Sequence, residues 1–178
     1  MMIVCFSWLV SDVGAAYGTA AAGEGILVCG ISSPDLIWRN LIPVIMAGVN
    51  GIYGLITAIV LMSNIKKPQN GINVYSLYTG FAHLAAGLCC GLCGLASGMA
   101  IGIAGGTAVR SCGVFDVIHR RKKTFGNKFG SRGERKKAAG GENLFVVMVL
   151  IQVFAGNLAL YGLITSIILT QTSYVCDK

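Results

Sequence analysis

Apolar residues gather into four long stretches, roughly Met2 to Ala22, Leu41 to Met62, Leu77 to Val109 and Leu144 to Thr170. Each approaches or exceeds the ~20 residues that a helix needs to cross a hydrocarbon core about 30 Å thick. Lipid offers no partner to an unpaired backbone group, and four segments are too few for a closed barrel. The pattern therefore predicts an all-α membrane protein with four transmembrane helices. The first stretch ends in Ala20, Ala21 and Ala22, as a cleaved signal peptide does. It lacks a positive amino-terminal region and is read as a retained span.

The stretches repeat in pairs. Gly14-Ala15-Ala16-Tyr17-Gly18-Thr19-Ala20 answers to Gly94-Leu95-Ala96-Ser97-Gly98-Met99-Ala100, 80 residues later. Ala47-Gly48 and Tyr53-Gly54-Leu55-Ile56-Thr57 recur as Ala155-Gly156 and Tyr161-Gly162-Leu163-Ile164-Thr165, 108 residues later. The chain thus reads as a duplicated two-helix hairpin, with a first hairpin over 1–63, a connection over 64–76 and a second hairpin over 77–178. The 28-residue difference between the offsets places an insertion at about 114–141, between the third and fourth stretches.

Composition agrees with a bilayer as solvent: 54% of the 178 residues are apolar and 12% charged. The net charge of +7 is local, since nine of the 14 Lys and Arg fall between Arg120 and Lys137. Cations in short connections stay on the cytoplasmic side, so the first and third connections are expected there and the middle one, with Lys66 and Lys67, in the lumen. Both termini then lie in the lumen. Two readings of the basic insertion stand: a solvated, disordered segment, or one drawn to anionic lipid by about 1 kcal/mol per cation. A retained intron would look similar. Nucleic acid is not expected as a partner, because only Phe125 and Phe129 accompany the charge.

Glycines at 87, 91, 94, 98 and 102 fall on one helical face, as do Gly14, Gly18 and Ala22, which predicts an inner layer of closely packed first and third helices. Cys89, Cys90 and Cys93 read as small packing residues, because no second Cys pair or nearby His completes a metal site. No cofactor or metal is expected.

These stretches resemble the proteolipid c subunits of vacuolar-type proton-translocating ATPases. The likeness rests on Gly14 to Ala20, Ile42 to Gly48, Ile52 to Leu55, Ser76 to Tyr78, Ala86 to Arg110, Leu144 to Val146, Phe154-Ala155 and Leu160 to Ile164, and so touches all four helices. It implies a ring of c-type proteolipids within the membrane (V0) sector, beside the a subunit of the stator and other V0 subunits, in lipid of a vacuole or another acidified endomembrane. ATP hydrolysis belongs to a separate soluble sector, and no hydrolytic site is expected in this chain.

The resemblance also exposes an absence. In family members a glutamate midway along an outer helix carries the proton; the matching position here is Gly156, and its repeat counterpart, used by the larger c-double-prime type, is Gly48. Gln152, four residues before Gly156, is expected on the same face, where it can hydrogen-bond but not titrate. Asn50 and Asn157 are expected to hydrogen-bond across helices. Among seven acids only Asp12 lies within a span, which makes it a candidate relocated acid; a shortened amino terminus is the other reading of its position. His83 is expected in solvent near the interface. Two functions follow: a ring component that takes part in rotary proton transport and organelle acidification, or a structural or regulatory proteolipid without translocation.

Overall fold

The computed structural model describes residues 2–32, 34–65, 77–126 and 134–171. They form four helices: α1 (Met2–Ser32), α2 (Ile42–Asn64), α3 (Leu77–Gly126) and α4 (Glu134–Gln171). Two short 3-10 turns, Pro34–Leu36 and Arg39–Leu41, join α1 to α2. Pro43 sits in the first turn of α2, where its missing N–H costs no helical hydrogen bond. The lumenal connection expected over 64–76 lies, from residue 66 onward, outside the described residues.

Among the described residues, three segments are long and apolar enough to cross a membrane: Arg39–Asn64, Leu77–Ile118 and Asn143–Gln171. With 31 residues α1 also has the length to cross a membrane. It packs most extensively on α3.

The glycine faces explain how closely. A Cβ built on Gly14 would stand 2.6 Å from Leu95 Cα and 2.8 Å from Gly94 O, and one built on Gly98 would collide with the Gly14 backbone. Only hydrogen fits between these backbones. α2 and α4 pack against the α1–α3 pair and present Ile45, Ile52, Ile59, Leu150, Phe154 and Leu158 outward. Such a continuous apolar exterior needs lipid or other subunits to cover it.

Two expectations change. The basic insertion at about 114–141 is largely helical: α3 runs on to Gly126 and α4 starts at Glu134, with 127–133 outside the described residues. No proline follows Pro68, and Arg120 holds Asp116 at 2.9 Å one turn away, so nothing stops α3 at the end of its apolar stretch. His83 is buried, not solvated, because α3 begins against the end of α4, where His83 meets the backbone of Thr170.

Candidate functional site in the outer helices

The two halves of the repeat converge at the centre of the bundle. Ala47 of α2 and Ala155 of α4, counterparts in the duplication, join Ile101 of α3 in one buried cluster. The residue after each is a candidate position, Gly48 or Gly156. A Cβ added at either would meet nothing within 4 Å. Gly48 is exposed and Gly156 half-buried. Their neighbours in the repeat behave differently: a Cβ on Gly54 would lie 2.7 Å from Ser11 Cβ, and one on Gly162 would lie 2.5 Å from Cys93 Cβ. Glycine is therefore required by packing at 54 and 162 and is not required at 48 and 156.

Depth follows from a belt of charge at one end of the bundle. Arg39 lies over the Phe145 ring at 4.9 Å, and Arg110 Nη2 reaches Glu24 Oε2 at 3.6 Å. Cys29, Val109 and Met148 form a buried cluster at this end, with Phe145 packed on it. Counting at 1.5 Å per residue, Gly156 lies about 16 Å from Phe145, Gly48 about 13 Å from Arg39 and Asp12 about 18 Å from Glu24. Half of a ~30 Å core is about 15 Å, so with this belt at the edge of the core all three are expected near its middle. The apolar segment Asn143–Gln171 gives the same answer, since its midpoint is Asn157.

Gln152 does not share the open face with Gly156. It is fully buried, with Nε2 donating to Ile101 O at 3.3 Å beside Gly105 and Pro43, and its Oε1 has no hydrogen-bond partner among the described residues. Residues four apart are rotated by about 40°, enough here to turn one into the α3 interface and leave the other at its edge. The two asparagines also differ. Asn50 Nδ2 donates to Gly94 O at 2.9 Å across α2 and α3, whereas Asn157 is half-buried and makes no hydrogen bond among the described residues.

Asp12 faces α2. Its Oδ1 occupies the space beside Gly51, 2.8 Å from where a Cβ there would stand, and the carboxyl makes no hydrogen bond or ion pair among the described residues. The neighbouring Ser11 hydroxyl donates to Asn50 O at 3.0 Å.

One contact was hidden in the glycine stripe. Ser97 Oγ donates to Ala155 O at 2.7 Å, tying α3 to the residue before Gly156. A serine among glycines and alanines reads as a small residue, and only its partner's position reveals the bond. The cysteines also serve the repeat: Thr57 meets Cys90 Sγ at 3.5 Å and its counterpart Thr165 meets Cys89 Sγ at 3.2 Å.

Comparison with known proteins follows the same division into halves. The family model for the C subunit of ATP synthase matches residues 2–61 and 84–169, two stretches that each contain a helix pair. The chain is 44% identical over 169 residues to a protein of Chrysotila carterae named "V-type proton ATPase 16 kDa proteolipid subunit", covering 95% of this chain and 87% of that one.

Proposed function

The chain belongs to the family of ATP synthase C subunits, and on that premise we propose that it is a c-type proteolipid in the membrane ring of a vacuolar-type proton-translocating ATPase. The observation that carries this reading is the pair of outward-open, mid-membrane positions at 48 and 156, related by the internal duplication and framed by the shared packing of Ala47 and Ala155 on Ile101. An outer-helix acid that must be charged beside a stator arginine and neutral in lipid belongs at such a place, because an ion at the bilayer centre costs about 2.5–3.5 kcal/mol or more.

Both positions are glycine, so this proteolipid takes part in rotation and ring closure without a carboxylate at either of these outer-helix positions. Its partners are other c-type proteolipids, the a subunit of the stator and the remaining membrane-sector subunits, with lipid against the outer helices. The membrane is that of a vacuole or another acidified compartment, the termini are lumenal and the basic end of α3 and α4 is cytoplasmic. The two glycines favour a second reading, a structural or regulatory proteolipid that occupies a ring without translocating protons.

Affinity purification of the tagged chain from its host membranes tests ring membership. Recovery of the stator and c-type proteolipids in one complex supports it, and recovery of the chain free of both refutes it.

A further inference from the structure

We propose that Asp12 is the proton-binding residue of this proteolipid, a carboxyl seated at mid-membrane in the groove between α1 and α2. The proposal deepens the ring-membership reading and rests on it for the placement of the bilayer. Of the seven acids in the sequence, Glu24 belongs to the charged belt, Asp116, six residues beyond Arg110 of that belt, pairs with Arg120, and Asp35, Glu134, Glu142 and Asp177 lie beyond the apolar stretches. Asp12 alone stands at the depth of Gly48 and Gly156.

No ion pair to it is found among the described residues. The carboxyl makes no hydrogen bond among them either; Ala15 and Gly51 lie beside it, and the neighbouring Ser11 hydroxyl and Asn50 amide are committed to Asn50 O and Gly94 O. On α1 itself the next charged residue in the described chain is Glu24, about 18 Å away. An acid kept at such a depth is a functional candidate by default. Room for it comes from α2: Gly51 leaves the notch that Oδ1 fills, and any larger residue would push the carboxyl out. Gly51 is three residues from Gly48, so the groove opens one helical turn from the exposed outer position. A proton fits this site better than a metal ion, because a hard cation takes six or so oxygen ligands and the committed polar groups leave too few.

Reaction of the full chain in its native membranes with dicyclohexylcarbodiimide, located by mass spectrometry, tests the site. The reagent partitions into lipid and reacts with a protonated carboxyl, which becomes an N-acylurea. Labelling is expected on the peptide that contains Asp12, at least tenfold faster than with a water-soluble carbodiimide. Asp12→Asn should abolish it, Asp12→Glu should retain it, Gly51→Ala should change its rate severalfold, and Gly23→Ala, which meets no neighbour, should leave it within twofold. Labelling that persists in Asp12→Asn, labelling confined to other acids, or protection by sodium at fixed pH would each overturn the proposal. Because the modified peptide is scored whether or not the chain is recovered with a ring, failure here is distinct from failure of ring membership.

Discussion

The Ser97 hydroxyl donates a 2.7 Å hydrogen bond to the carbonyl oxygen of Ala155, one residue before the open position at Gly156. This bond and the Ala155–Ile101 packing fix the rotation of α4 about its own axis at the middle of the membrane. Ser97→Ala should therefore cost about 0.6 kcal/mol and at most about 1.7 kcal/mol, the average and the maximum for hydrogen bonds between membrane helices. Reversible unfolding in mixed micelles measures it; no change would mean that packing alone sets the rotation.

Glycines of the two classes should respond oppositely to alanine. Gly48→Ala and Gly156→Ala meet open space and replace a poor helix former, so each should be neutral or stabilising by up to about 1 kcal/mol. Gly98→Ala drives a methyl into the Gly14 backbone and should destabilise by at least the ~1–3 kcal/mol typical of overpacking. The same unfolding measurement checks all three, and equal effects would contradict the division into inner and outer glycines. Gly156→Glu should also fold, since its Cβ has the same open space.

Gln152 is buried with one amide oxygen unpaired among the described residues. Gln152→Leu removes both the single bond to Ile101 O and the unpaired oxygen, and should change stability by less than about 1 kcal/mol. A loss of several kcal/mol would show that the oxygen has a partner in the assembled protein.

Measured from the belt of Arg39 and Arg110, the cationic end of α3 is expected to stand off the membrane. Arg120 lies ten residues beyond Arg110 of the charged belt, about 15 Å of helix, against a Debye length of about 8 Å at physiological salt. Replacing Arg120, Arg121, Lys122 and Lys123 with Gln should leave the amount of phosphatidylserine retained by the purified protein within twofold. Arg39→Gln together with Arg110→Gln should reduce it. The reverse result would return the basic segment to the lipid surface.

The apolar stretches made the helices legible, because span length and backbone satisfaction leave a membrane protein few choices. The bounds of α2 follow its apolar run to within two residues, Ile42–Asn64 against Leu41 to Met62. The glycine steps in the third stretch foretold the α1–α3 contact, since close backbone approach depends on residue size alone. What escaped the sequence was rotation and continuation. Gln152 and Gly156 share a face by spacing, yet the 40° between them straddles the edge of the α3 interface. Asp12 was assigned to an inner layer by its helix, while its carboxyl turns to Gly51 of α2. Polarity ended the third stretch near Val109, although a helix of charged residues in water needs no apolar pattern and α3 continues to Gly126.

Membership of a ring is the claim on which the rest depends, and the mass of the ring tests it most directly. Native mass spectrometry of the ring released from the affinity-purified complex should show an assembly whose mass includes one or more copies of this 18.6 kDa chain together with its c-type partners. Detection of the chain only as a monomer, or only in assemblies that contain no ring proteolipid, would contradict it.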